Sequence, residues 1–146
     1  MEHERILKLG KEYEGDVLRW RRALHRFPEL GGQEFRTAAL VEETAARLGL
    51  TVRTVGATGK IAILDTGRPG KTVLLRADMD ALPVPEHPEN LKGARSVISE
   101  TCGYSHACGH DAHTAMLLGA MEILTELREE LAGRVVFCLE SDEENG

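Results

Sequence analysis

One short segment concentrates the side chains that bind metal ions. Residues 106–113 read His106-Ala107-Cys108-Gly109-His110-Asp111-Ala112-His113 and hold three of the chain's six histidines. Thiolate and imidazole are ligands that suit zinc and similar divalent ions. In an extended segment, residues two apart point the same way, and Gly109 permits a tight bend between them. The sequence therefore predicts that Cys108 and His110 bind a common divalent ion.

The remaining histidines near this pattern have weaker claims to be ligands. His113 falls on the helix predicted after the motif, where hydrogen bonding or packing is at least as frequent as metal binding, and His106 is equally ambiguous. His25, next to Phe27 on an earlier helix, is interpreted as structural. We expect Asp111 to cap the helix that follows the motif. The positive N-terminal end of that helix would help keep Cys108 ionised.

Acidic clusters follow two predicted strands: Asp78-Met79-Asp80 after Lys71–Arg76, and Asp142-Glu143-Glu144 after Val135–Leu139. Adjacent residues after a strand point in different directions. One carboxylate of the glutamate pair can therefore bind an ion while its neighbour stays free as a base, a division that metal hydrolases need. Asp78 and Asp80 can either cap a turn or orient a ligand or a charged substrate group.

Periodicity predicts the elements that must position these residues. Apolar residues at helical spacing indicate helices over 6–27, 33–48 (with Phe35 facing inward) and 112–131. Strands are predicted at 50–54, 60–65, 71–76 and 135–139, the last two buried, and a loop at 83–104. Together these predict an α/β fold with a mostly parallel sheet flanked by helices, in which ligands collect beyond the carboxyl ends of the strands.

Composition excludes several classes of protein. The formal charge is −6, from 18 basic and 24 acidic residues, which gives no electrostatic footprint for nucleic acid or for an anionic membrane. Apolar stretches are too short to span a bilayer. Three cysteines do not indicate a disulfide framework. The expected protein is soluble and cytoplasmic.

Taken together, these motifs resemble the aminoacylase/carboxypeptidase type of zinc-dependent hydrolases. More narrowly, the chain is similar to the branch of hippurate hydrolases, N-acyl-amino-acid amidohydrolases and plant auxin-conjugate hydrolases. The resemblance rests on the sequences of 20–30, 75–83 and 106–119 and on Glu143-Glu144, which occur in family order. This branch usually has Gln-Pro-Ala before the glutamate pair, where this chain has Glu140-Ser141-Asp142.

The resemblance implies a role for each matching residue. Cys108, His110 and Glu144 would be metal ligands, Glu143 the general base, and Asp80 the acidic residue near the site. The family reaction is hydrolysis of the amide bond of an N-acyl amino acid or small peptide. Two divalent ions per intact active site would be needed, and zinc, manganese, cobalt or nickel would be compatible with these ligands.

The resemblance also implies that residues 1–146 form the N-terminal part of a zinc-exopeptidase-like catalytic domain. Further histidine ligands and a smaller dimerisation or lid domain would lie outside this sequence, and a homo-oligomer is expected. Alone, these residues should bind at most about one ion and self-associate through an uncovered sheet edge. Two alternatives stay open, a stand-alone metal-binding or interaction module without catalysis, and a thiol hydrolase using Cys108 with His110 as base.

Overall fold

The computed structural model describes residues 3–146, which form three helices, two short 3-10 turns and six strands. The helices are α1 (His3–Arg26), α2 (Phe35–Arg47) and α3 (His110–Glu126), and the 3-10 turns are Arg128–Glu130 and Glu143–Asn145. The strands are β1 (Thr51–Val55), β2 (Gly59–Asp65), β3 (Thr72–Asp78), β4 (Glu89–Asn90), β5 (Gly93–Ala94) and β6 (Arg134–Glu140). The predicted helices and main strands are all present, with ends shifted by a few residues.

Four strands form one sheet in the order β1-β2-β6-β3. The predicted α/β class with helices packed on the sheet is confirmed, but the sheet is mixed rather than mostly parallel. β1 pairs with β2 and β2 pairs with β6 in antiparallel fashion, while β3 and β6 are parallel. The short connection between β1 and β2 allows antiparallel pairing, whereas α3 provides the crossover between the parallel strands.

The core lies between the three helices and one face of the sheet. Side chains alternate along the strands, so that Ala62, Leu64, Phe137 and Leu139 are fully buried while their neighbours are only half-buried. Two burial predictions are wrong. Phe35 is exposed at the start of α2, although Ala38, Val41 and Ala45 of the same helix are buried. The first half of β3, an edge strand, is exposed as well.

The connection from β3 to α3 is mostly irregular, as predicted, and contains only the two-residue strands β4 and β5. An isolated bridge of Leu30 with Ala81 attaches it to the segment after α1, and a bridge of Leu82 with Ser105 joins its own two ends. Among residues 3–146, none of the helices combines the length and the apolar character needed to cross a membrane.

Candidate metal centre

The candidate residues meet at one edge of the sheet, where β3 and β6 end side by side. The two strands are parallel, with Asp78 opposite Glu140 in the register. Segments that follow them therefore leave the sheet at the same edge. Asp80 lies two residues beyond β3, and Glu143 and Glu144 begin the 3-10 turn that follows β6.

α3 brings the Cys-Gly-His motif to the same edge. The Thr114 hydroxyl donates to the carbonyl oxygen of Asp78 over 2.9 Å, which attaches the first turns of α3 to the end of β3. Gly109 precedes the helix with φ of 94°, a left-handed conformation that glycine adopts without steric cost. The predicted bend at Gly109 between Cys108 and His110 is therefore present.

Cys108, His110 and Glu144 form a set of potential ligands. One ligand atom from each residue lies within 4.8 Å of the others. His110 is buried, Glu144 is half-buried and Cys108 is exposed, so the set opens towards solvent on the thiol side. Glu143 is outside this set, but its Oε2 lies 3.7 Å from His110 Nε2. The structure thus brings together the four residues that the sequence placed in the site.

Asp80 determines which nitrogen of His110 faces this set. His110 Nδ1 lies 2.9 Å from the backbone carbonyl oxygen of Asp80 and 3.2 Å from its Oδ1. The carbonyl oxygen can only accept a hydrogen bond, and so can an ionised carboxylate. Nδ1 therefore donates to Asp80, which turns the other ring nitrogen, Nε2, towards the ligand set. Asp80 is 1% exposed, and its Oδ2 also accepts from the Glu144 amide over 2.9 Å.

A second potential ligand set adjoins the first. Asp78, His110 and His113 each offer one atom within 4.8 Å of the others, and His113 Nδ1 lies 3.4 Å from Asp78 Oδ2. The other oxygen of Asp78 pairs with Arg76 at 2.8 Å. Both sets depend on His110, whose only free nitrogen is Nε2. Because one lone pair serves one ion, His110 can belong to only one occupied set at a time.

The expectation about Cys108 ionisation is wrong for the metal-free site. Hydrogen bonding to the Glu144 carboxylate, then burial and the negative charges of Glu143 and Asp78, raise the pKa of the Cys108 thiol above its ordinary value. Three acidic neighbours therefore favour the neutral thiol. A thiolate at this position would require a nearby positive charge.

Asp111 does not cap α3, which is a second correction. Gly109 occupies the N-cap position, and Asp111 lies inside the helix with only 1% of its surface exposed. Its Oδ2 accepts from His25 Nδ1 over 2.7 Å and lies 3.1 Å from Arg21 Nε. Glu86 contacts the other His25 nitrogen at 2.9 Å. Hydrogen bonding to Asp111, and secondarily to Glu86, raises the pKa of His25 despite its burial.

His106 belongs to neither ligand set. It is buried, and neither of its ring nitrogens has a hydrogen-bond partner among the described residues. Burial lowers its pKa to about 4, so the ring is neutral near physiological pH. The motif could not predict that both ring nitrogens lack partners, because the residues that surround the ring come from other segments of the chain.

The sequence of this chain is similar to those of known hydrolases. The chain is 42% identical over 145 residues to an N-acyl-L-amino acid amidohydrolase of Geobacillus stearothermophilus, covering 99% of this chain and 38% of that protein. It is 44% identical over 127 residues to IAA-amino acid hydrolase ILR1-like 5 of Arabidopsis thaliana, covering 86% of this chain and 28% of that protein.

A solved structure with a similar fold is the YXEP protein of Bacillus subtilis, described as a dinuclear metal-binding peptidase of the M20 family. The TM-score is 0.81 with 35% sequence identity, and the match covers 92% of this chain and 37% of that protein. The fold is therefore that of the N-terminal part of an M20 peptidase, as the resemblance implied. This chain spans only about a third of the length of such relatives.

The profile of peptidase family M20/M25/M40 matches residues 74–146, half of the chain. The matched part contains most of β3, the whole of α3 and β6, and every candidate ligand. The chain belongs to this family of hydrolases.

Proposed function

We propose that the intact protein hydrolyses the amide bond of N-acyl amino acids or small peptides, with Cys108, His110 and Glu144 holding a divalent ion. The observation that carries this proposal is the approach of three ligand atoms within 4.8 Å, beside a glutamate that is not among them. The names of the bacterial amidohydrolase and the plant IAA-amino acid hydrolase support this class of substrate.

The residues present fit a divalent ion. Glu144 Oε1 is buried and has no hydrogen-bond partner among the described residues, a condition that costs free energy unless a cation or water satisfies it. His110 directs Nε2 at the ligand set because its Nδ1 is already used in the contact with Asp80. The raised pKa of Cys108 indicates an excess of negative charge that a cation would neutralise.

Glu143 is suited to act as the general base. Its carboxylate is only part-buried and lies beside His110 Nε2 without belonging to either ligand set. A divalent ion at this site would polarise the substrate carbonyl and acidify a water molecule. Glu143 would accept the proton from that water and return it to the leaving amine, which releases the amino acid.

We further propose that the intact site uses two ions and that the protein is a homo-oligomer. His110 has one free nitrogen, so a second ion needs ligands beyond the Cys108–His110–Glu144 set. At the edge strand β3, Val73 and Leu74 are 52% and 59% exposed, which leaves an apolar surface next to unpaired backbone groups. In the 146-residue chain, pairing of this edge with a second copy would cover that surface.

Titration of the 146-residue chain with Co²⁺ tests the proposed ligands, because a thiolate ligand produces a charge-transfer absorption band in the near ultraviolet. We expect at most about one ion per chain. His110→Ala should lower the affinity by about a hundredfold or more, since loss of outer partners alone costs about 10- to 100-fold. Cys108→Ala should abolish the thiolate band. His87→Ala, at an exposed histidine outside both sets, is the control and should change neither.

The same titration separates the two ligand sets and the roles of the two glutamates. His113→Ala should leave affinity within about threefold of the parent; a loss as large as that of His110→Ala without a thiolate band would favour the Asp78–His110–His113 set.

Glu143→Gln should bind Co²⁺ normally but abolish hydrolysis of N-acetyl or N-benzoyl amino acids by the intact protein. Hydrolysis that survives complete chelation would contradict the proposal and favour a thiol mechanism.

A further inference from the structure

The segment between α1 and α2 lies directly against the loop that carries the glutamate pair. A Cβ atom on Gly31 would overlap Oδ1 of Asp142 and lie only 2.8 Å from Nδ2 of Asn145. A side chain at position 31 would therefore require the side chains of Asp142 and Asn145 to move. The segment between α1 and α2 thus packs against the loop that carries the glutamate pair, although it offers no ligand itself.

Glu34, at the end of this segment, has a fully buried carboxylate. Its exposed fraction is 0%, and it occupies the N-cap position of α2 without making a side-chain capping hydrogen bond. Its Oε1 accepts from the Asp142 amide over 2.8 Å, and its Oε2 accepts from the Thr58 hydroxyl. Burying a carboxylate is costly unless its hydrogen bonds are satisfied. Since α2 does not use this carboxylate as a cap, the contact with Asp142 explains its position better.

The amide that Glu34 holds belongs to a residue with an unusual backbone. Asp142 has φ of 61°, the only positive value among the described residues other than glycine. Such a conformation persists only where the surroundings maintain it. On the other side of Glu143, Oδ2 of Asp80 accepts from the Glu144 amide over 2.9 Å. Two buried carboxylates therefore hold the backbone immediately before and after Glu143.

We propose that Glu34 is a positioning residue that acts through the Asp142 amide to hold Glu143 and Glu144 towards His110. This inference deepens the proposed function and depends on it for the identity of the site. Glu34 touches none of the candidate ligands. It sets the path of the backbone from which two of the four functional side chains project.

Two substitutions separate the charge of Glu34 from its reach. Glu34→Gln keeps an oxygen for the Asp142 amide, so Co²⁺ affinity should stay within about threefold of the parent. Glu34→Asp keeps the charge but is one methylene too short, and should lower Co²⁺ affinity about tenfold. Glu122→Asp is the matched control, because Glu122 is also buried but lies further along α3, where it pairs with Arg47 of α2. It should affect stability without affecting Co²⁺ affinity.

Amide hydrogen exchange of the metal-free chain provides a readout that does not depend on the proposed ligands. Glu34→Asp should accelerate exchange of the Asp142 and Glu144 amides relative to Glu122→Asp, and Glu34→Gln should not. Unchanged exchange and unchanged Co²⁺ affinity in Glu34→Asp would overturn the positioning role. If exchange accelerates but the parent chain binds no Co²⁺, the positioning role stands and the proposed metal site fails. Should Glu34→Asp not fold, the parent chain is the test: its Asp142 amide must be protected from exchange, and an unprotected amide would overturn the inference.

Discussion

His25 and His110 are both buried histidines in contact with buried carboxylates, but their two ring nitrogens are used differently. Both nitrogens of His25 face carboxylate oxygens, Asp111 on one side and Glu86 on the other. His110 uses Nδ1 with Asp80 and leaves Nε2 towards the potential ligands. Both nitrogens of His25 are therefore occupied by hydrogen bonds to carboxylates, whereas one nitrogen of His110 remains available to an ion.

The comparison shows that burial and a carboxylate partner do not by themselves make a metal ligand. Whether a buried histidine can bind a metal ion depends on how many of its ring nitrogens already form hydrogen bonds within the protein. His106 is the third case, since neither nitrogen has a partner among the described residues and burial keeps the ring neutral. Three histidines within one small region thus differ in chemistry because their neighbours come from different elements.

The largest expected effect concerns the stability that the His25 network provides. His25→Leu would leave Asp111 and Glu86 without their shared partner, and we expect a loss of about 3 kcal/mol in the free energy of unfolding. This lies at the lower end of the usual range because Arg21 and Arg95 still contact the two carboxylates. Urea denaturation measures the loss. His87→Leu should stay within about 0.5 kcal/mol of the parent, and an equal loss in both variants would contradict the comparison.

A smaller effect is expected at the carboxylate that orients His110. Asp80→Asn removes the charge next to Nδ1 but keeps the backbone carbonyl that accepts from it, so Co²⁺ affinity should fall about tenfold. Asp65→Asn, at an exposed aspartate that pairs with Arg134, serves as the control. If calorimetric titration shows that the two variants bind Co²⁺ equally well, Asp80 does not orient the ring as we infer.

The smallest effect is a pH dependence of the His25 contribution. Because carboxylates raise the pKa of His25 in the folded state, its contribution is complete below the unfolded value of about 6.5 and is lost as the pH rises through the raised folded value. Arg21 opposes this shift, and the lowered pKa values of Asp111 and Glu86 affect stability only in acid. The stability difference between the parent and His25→Leu should therefore narrow above pH 6.5 in denaturation experiments. A difference that stays constant or widens would contradict the assignment.

Periodicity predicted the existence and type of the main elements but not how they share a sheet. The Val73–Leu75 run favours a strand buried on both faces, yet β3 lies at an edge with Val73 and Leu74 exposed. Strand order and direction depend on pairing between segments that are distant in sequence. The local pattern of β3 contains no information about which partners cover it.

For the candidate site, residue type and spacing singled out Cys108, His110 and the pair Glu143-Glu144, which the fold brings close together. They were not sufficient for residues whose role depends on a distant partner. Asp111 has a residue type and position typical of a helix cap, but its carboxylate contacts His25 and Arg21 of α1 instead. Glu34 looks like an ordinary acidic residue before a helix, and nothing nearby in the sequence indicates its contact with Asp142.

The sequence by itself determined the α/β class, the family and the side chains that can bind an ion, because these follow from short-range pattern and residue chemistry. Tertiary structure decided which nitrogen of each histidine is free, how acidic Cys108 is and which carboxylates hold the glutamate loop. Those properties arise from electrostatic and hydrogen-bonding contacts of only a few ångströms, and folding creates them between residues that lie as many as 108 positions apart.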